Sequence, residues 1–187
     1  MRNRRSPSSI LLRITHSCCS LDTCIAIMSI ITVTGSLVVL CSALAWSYPL
    51  HASCKIDWTF GEDCKIIRDK ILNQISVWKT DDNCKNGGEK CLYTLLSATA
   101  NTIEAQHTTP VKHYNDTLNF TFNSGTLCRV KARSSSDTWY AILDYGTNYC
   151  NLHNLITGAG LDKDTKYSEK TSDSICTQFS SADCDKY

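Results

Sequence analysis

The sequence predicts an α+β domain: a curved antiparallel sheet of about four to five strands packed on one long amphipathic helix, stabilised by disulfides. Three observations predict it. An apolar stripe at helical spacing runs through residues 64–79, segments that alternate with a period of two flank it, and eight cysteines are spread over residues 48–187.

The first strand is KIDWTF, residues 55–60, where Ile56, Trp58 and Phe60 alternate with Lys55, Asp57 and Thr59. Gly61 breaks it. Glu62 and Asp63 then open a helix with negative charge at its amino end, where the helix dipole favours it. That helix extends to about Lys79. Cys64, Ile67, Ile71, Ile75 and Trp78 form its inner stripe, while Lys65, Arg68, Asp69 and Asn73 face water.

After the turn signal Asn86-Gly87-Gly88 the residues become those that suit a sheet: KCLYTLLSAT, then TIEAQHTT beyond Asn101. Pro110 separates these from VKHYNDTLNFTF. There Tyr114, Leu118, Phe120 and Phe122 fall on one face and Asn115, Thr117, Asn119 and Thr121 on the other, with Asp116 interrupting the apolar side. LCRVKAR follows, with Leu127 set against the core and Val130 reaching it through a bulge. Arg129, Lys131 and Arg133 form its solvated side. TWYAILD, residues 138–144, reads as a further strand. The resulting order, β-α-β-β-β-β, resembles cystatin-like and helix-grip domains. The Gln-x-Val-x-Gly feature of cystatin inhibitors is absent, so no inhibitory residues carry over.

The chain before this domain reads as an export leader. Arg2, Arg4, Arg5 and Arg13 precede an uncharged run from Thr23 to Pro49, and Cys24–Ala45 is long enough to span a bilayer, which needs about 20 residues. Residues 1–47 are therefore either a signal peptide, cleaved after Ala45-Trp46-Ser47 and optionally started at Met28, or an uncleaved signal anchor of a type II membrane protein. Both place residues 48–187 outside the cytosol as one cysteine-rich domain.

Of the twelve cysteines, Cys18, Cys19, Cys24 and Cys41 lie in the leader, leaving Cys54, Cys64, Cys84, Cys91, Cys128, Cys150, Cys176 and Cys184. An even set in an oxidising compartment reads as a disulfide framework of open connectivity. No pair has the C-x2-C spacing of a zinc site, so no metal or other cofactor is expected. Two acceptor sequons, at Asn115 and Asn119, point to a glycoprotein. Setting aside the four arginines and Asp22 of the leader from totals of 19 basic and 18 acidic residues leaves 15 against 17. With no long basic stripe, nucleic acid is not an expected partner. The expected partner is an extracellular protein, a glycan or a small ligand, with a membrane involved only if the leader is retained.

The most reactive-looking stretch is LDYGTNYCNLHNL, residues 143–155. Gly146 permits a tight turn, and from Asn148 the chain turns helical, with Leu152, Leu155 and Ile156 facing inward and Gly158 and Gly160 ending the helix. Asp144, Asn148, Asn151 and Asn154 are expected to bond free backbone groups, Tyr145 and Tyr149 to bury ring surface, and Cys150 to tie the segment to the sheet. The stretch resembles secreted calcium-dependent phospholipases in texture, but here His153 is followed by Asn154 rather than an aspartate, and a glycine-rich calcium loop is missing. DKDTKYSEKTSD, residues 162–173, departs from an EF-hand loop at Lys166, Tyr167 and Asp173 and reads as a solvated loop. His107 and His113 flank the Pro110 corner and read as surface or half-buried strand residues.

The functional expectation is a non-enzymatic extracellular binding module with Asp144, Tyr145, Tyr149 and His153 as ligand-binding residues and no catalytic residue. The alternative is a secreted hydrolase using His153 and Asp144. A nucleophilic Cys150 would require an unpaired thiol.

Overall fold

The computed structural model describes residues 51–187; the leader, with its apolar run and both reading-frame starts, lies outside the described residues. Six strands form one antiparallel sheet: β1 (Ser53–Phe60), β2 (Tyr93–Ala98), β3 (Thr102–Thr108), β4 (Asn115–Asn123), β5 (Cys128–Ser136) and β6 (Ser168–Lys170). Their spatial order is β2-β3-β4-β5-β1-β6. Two helices, α1 (Cys64–Val77) and α2 (Thr147–Gly158), share one core with the inward residues of the sheet. The α+β, disulfide-stabilised class holds, with six strands in place of four to five and a second helix beside the long one.

The alternation of β1 carries straight into its burial: Ile56, Trp58 and Phe60 are buried and Lys55 and Asp57 exposed. In α1 the expected stripe Cys64, Ile67, Ile71 and Ile75 is buried. The Asp63 carboxylate accepts from the backbone N–H of Lys65 at 2.7 Å and starts the helix, which ends at the Trp78 cap. Each large side chain buried in that stripe contributes about 1.5–3 kcal/mol. α2 begins at Gly146, whose φ of 81° and 2.5 Å clearance between an added Cβ and the Ala182 Cβ exclude a side chain there. At its far end Gly158 lies against the Trp78 ring, where a Cβ would come within 2.6 Å, so the two helices approach closely.

Three expectations about strands need correction. In β5, Cys128, Val130, Ala132 and Ser134 face inward in unbroken register with β1 and β4, so no bulge is needed and Leu127 precedes the strand. Cys128 supplies the inward position that Leu127 was expected to fill. Tyr114 is exposed, and Asp116 takes the inward place at that end of β4. TWYAILD forms no strand: the chain leaves the sheet after Ser136, and the backbone bonds from Ala52 N–H to Ala141 C=O, 2.8 Å, and from Ala141 N–H to Thr138 C=O, 2.9 Å, shape it as a loop.

All eight cysteines are paired: Cys54–Cys176, Cys64–Cys128, Cys84–Cys91 and Cys150–Cys184. Cys150 ties α2 to the C-terminal segment rather than to the sheet. Four disulfides mark a disulfide-rich protein of extracellular type. Among the described residues no helix is long and apolar enough to cross a membrane.

Candidate functional site

The segment 143–155 divides into three environments. The first is a buried polar seam beneath the start of α2. Strand register sets Tyr93, His107, Asp116 and Ser136 side by side on the inward face. α2 lies over this row and answers it with amides. Asn151 donates to one Asp116 carboxylate oxygen at 2.8 Å, and Ser136 Oγ donates to the other at 2.8 Å. The Tyr93 hydroxyl donates to the Asn151 carbonyl at 3.0 Å. One step along, Ser134 Oγ donates to the Asn148 side-chain carbonyl at 2.6 Å, and the Asn148 amide donates to Asp144 at 2.7 Å.

Asp144 also accepts from the backbone N–H of Gly146 and Asn148, which caps the helix as expected. Asn148 and Asn151, however, take side-chain partners in place of backbone ones; only Asn154 bonds a backbone carbonyl, that of Tyr187, at 2.8 Å. Burial raises the pKa of Asp116 against the pull of the Ser136 and Asn151 hydrogen bonds, and it raises Asp144 against those of Asn148 and the Gly146 backbone. These carboxyls are consumed in holding α2 on the sheet.

His107 belongs to the same row and is fully buried, not half-exposed. Its Nε2 lies 2.8 Å from the Glu89 carbonyl, to which it donates, and its ring packs against Tyr93. Burial lowers its pKa to about 4, against the opposing pull of the Glu89 and Cys91 carbonyls. In the unfolded chain the ordinary value of 6.5 applies. The stabilisation from this neutral imidazole is therefore complete above pH 6.5 and is lost as pH falls to about 4, an amount of about 3 kcal/mol. His107→Gln keeps a donor without a titrating ring. Denaturant unfolding of both proteins at pH 7 and pH 4 should show the wild type's advantage over the variant shrinking by about that amount; a constant difference contradicts the assignment.

The second environment is a cluster around Glu169, a residue with no distinguishing sequence signal. One carboxylate oxygen accepts from the Tyr149 hydroxyl at 2.8 Å, and the other from Trp58 Nε1 at 2.8 Å and the Tyr167 hydroxyl at 3.0 Å. His153 Nδ1 stands 3.2 Å from that second oxygen and 3.0 Å from the Tyr149 hydroxyl. Because Tyr149 spends its proton on Glu169, Nδ1 is the donor of this pair. Burial works to raise the Glu169 pKa, yet the hydrogen bonds from His153, Trp58 and Tyr149 outweigh it and bring it down to about 2. Burial and the Glu169 charge push the Tyr149 and Tyr167 hydroxyls up.

This arrangement orients an imidazole by a carboxylate, but the carboxylate is Glu169 and not Asp144, which is occupied at the helix start. No serine, threonine or cysteine side chain is hydrogen-bonded to the His153 ring among the described residues, and Cys150 is oxidised. A nucleophile–base pair is thus missing from the hydrolase alternative. The grooves beside Cys84 and Lys186, beside Asn73 and Gly158, beside Glu62 and Lys166, and beside Lys55 and Arg133 are not lined by His153. The expected loop 162–173 also serves structure. Asp164 accepts from the backbone N–H groups of Gly61, Glu62 and Lys166 at 2.7–3.0 Å, and Ser168–Lys170 becomes β6. Among the described residues no group of three or more His, Cys, Asp or Glu could hold a metal ion.

The third environment is the loop that leads into α2. Trp139, Tyr140, Ile142, Leu143 and Tyr145 are each 61–85% exposed, so Tyr145 leaves its ring in solvent instead of burying it. Both ends are pinned. Asp137 N–H donates to the Asn115 carbonyl at 2.8 Å, and the N–H groups of Asp144 and Tyr145 donate to the Gln178 side chain at 3.0 and 2.7 Å. Of the four expected ligand-binding residues, Asp144 is sealed in the seam, Tyr149 and His153 are half-buried at Glu169, and Tyr145 alone is open. Sequence reading missed Trp139, Tyr140, Ile142 and Leu143 because their β-forming character suggested a strand. The signal that could have found them is the lack of alternation among four large apolar residues in five positions. Comparison of the chain with protein-family models, with curated proteins and with solved structures found no match.

Proposed function

We propose that the protein is a secreted glycoprotein that acts as a non-enzymatic binding module, with the loop Trp139–Tyr145 as its recognition element for another extracellular protein. The single observation that carries this reading is the exposure of five large apolar and aromatic side chains on a loop hydrogen-bonded at both ends. Exposed aromatic clusters supply most of the energy in protein interfaces, and a rigid loop loses little entropy when it binds. No lysine or arginine falls within the loop, which favours a protein partner over an anionic bilayer surface. Export is supported by the arginine-flanked apolar leader and by the four disulfides. Asn119 is exposed on the solvated face of β4, which supports glycan acceptance there; Asn115 shares that face but is half-buried, its side-chain carbonyl accepting from Thr108 Oγ1 at 2.7 Å.

The test is a screen of the secreted chain against an array of extracellular ectodomains, repeated with Trp139→Ser/Leu143→Ser. The wild type should bind a specific ectodomain, and the double variant should bind it at least about 30-fold more weakly, the loss of roughly 2 kcal/mol typical of an aromatic anchor. Its disulfides and melting temperature should be unchanged. Undiminished binding by the double variant overturns the loop assignment, and ester or peptide hydrolysis that disappears in His153→Ala overturns the non-enzymatic reading.

A further inference from the structure

The sheet face turned away from the helices carries an uneven charge pattern. Register places Lys55 directly opposite Arg133, and Arg133 opposite Asn119. One rung along, Lys170, Asp57 and Lys131 lie side by side on β6, β1 and β5. Asp57 thus stands between two cations, whereas Lys55 and Arg133 face each other. Like charges directly across a strand pair are destabilising unless something neutralises them. Lys55, Lys131 and Arg133 form no ion pair among the described residues, although other lysines of the chain do. The next acidic side chain, Glu104, is one strand beyond Asn119 and accepts from Ser97 Oγ.

These cations also border a depression. A groove of ≈ 330 Å³ is lined by Lys55, Asp57, Asn119, Lys131 and Arg133, with Ile175 as an apolar wall. Ile175 is fixed there because its carbonyl accepts from Lys55 N–H at 3.1 Å. The residues exported with this domain are net acidic, so the cationic groove is a local feature rather than a reflection of overall charge.

We propose that this groove binds the sulfate groups of a sulfated polysaccharide, with Lys55 and Arg133 clasping one sulfate and Lys131 a neighbour. A strand repeats its outward side chains every two residues, roughly 6–7 Å apart, so Lys131 and Arg133 present two charges in a row that a polymer with repeated anionic groups can follow. Sulfated polysaccharides are repeating polyanions found outside the cell, and the choice of them over other polyanions rests on the extracellular reading that the four disulfides support. This surface is separate from the aromatic loop, and the assignment does not depend on it.

The experiment uses the full chain secreted from animal cells beside its Asn119→Gln form, and retention must be seen in both, because Asn119 lines the groove and is a glycan acceptor. Binding to immobilised heparin and to desulfated heparin is measured from 0.05 to 0.3 M salt, a range of about sixfold. The expected result is retention on heparin but not on its desulfated form. Lys55→Ser/Arg133→Ser should weaken it about tenfold and lower the slope of log affinity against log salt by about two. Lys65→Ser/Lys163→Ser, with the same change of net charge on other surfaces, should leave both values unchanged. The proposal is overturned by absence of retention, by equal binding to desulfated heparin, or by equal losses in the two double variants. Competition by duplex DNA as efficient as that by free heparin would also overturn it, by reducing the groove to a general polyanion surface.

Discussion

Replacing Ile71 with aspartate is expected to unfold the domain. Ile71 is fully buried at the centre of the α1 stripe, in one core with Ile56, Trp58, Phe120 and Leu155. The substitution removes a large aliphatic side chain, leaves a void and places a carboxylate in the apolar core, a combined loss on the order of 5 kcal/mol or more. That matches the whole stability of many domains of this size, about 5–15 kcal/mol. Expressed in animal cells, the variant should be degraded, whereas Ile71→Val, costing about 1 kcal/mol, should accumulate normally. The yield of folded protein and its thermal melting decide the matter. A soluble Ile71→Asp protein with normal disulfides contradicts the placement of α1 in the core.

The second large effect is expected at the Cys54–Cys176 disulfide. It closes the longest span of the four, 122 residues, and joins β1 to the C-terminal segment through an isolated antiparallel bridge. In the chain-entropy account, stabilisation grows with the logarithm of the loop, and the Cys64–Cys128 and Cys150–Cys184 links shorten the effective loop. Cys54→Ala/Cys176→Ala should therefore cost about 4 kcal/mol, against about 2.5 kcal/mol for Cys84→Ala/Cys91→Ala, whose cysteines are only 7 positions apart. Both cysteines of the long link are fully buried, so alanine leaves no unsatisfied polar group behind. Denaturant midpoints of the two double variants give the comparison, and the reverse order of losses contradicts it.

The parts of the fold legible in the sequence are those whose signal is local. β1, α1 and β4 each expose their period within a single segment, because one side must meet the core and the other water. What escaped reading depends on contacts between distant segments. β6 is three residues long and is a strand only because Trp58 and its neighbours pair with it; nothing in Ser168-Glu169-Lys170 announces that. TWYAILD has the residue types of a strand but no neighbouring strand to accept it, and tertiary context overrides propensity. Val130 needed no bulge once a half-cystine, Cys128, is counted as an inward residue in phase with it.

The same distinction explains the segment 143–155. Its turn, its helix and the role of Gly146 follow from local chemistry. The partners of its polar side chains do not, since Asn151 meets Asp116 and His153 meets Glu169 across 35 and 16 positions of sequence. The residues that lie together along the chain part in three dimensions: Asp144, Asn148 and Asn151 enter a buried seam that fixes α2 to the sheet, His153 joins the cluster at Glu169, and Cys150 is bonded to Cys184. Such a seam is worth more when fully hydrogen-bonded than its pairs suggest, and it specifies one docking of the helix.

The measurement that bears most directly on this division of roles is non-reducing peptide mass mapping of the chain secreted from animal cells, alkylated before digestion. Four cross-linked pairs are expected, Cys54–Cys176, Cys64–Cys128, Cys84–Cys91 and Cys150–Cys184, with no alkylated cysteine in residues 48–187. A stoichiometric free thiol at Cys150, three residues from the carboxylate-oriented His153, would contradict the structural role of the seam and restore a nucleophile to it.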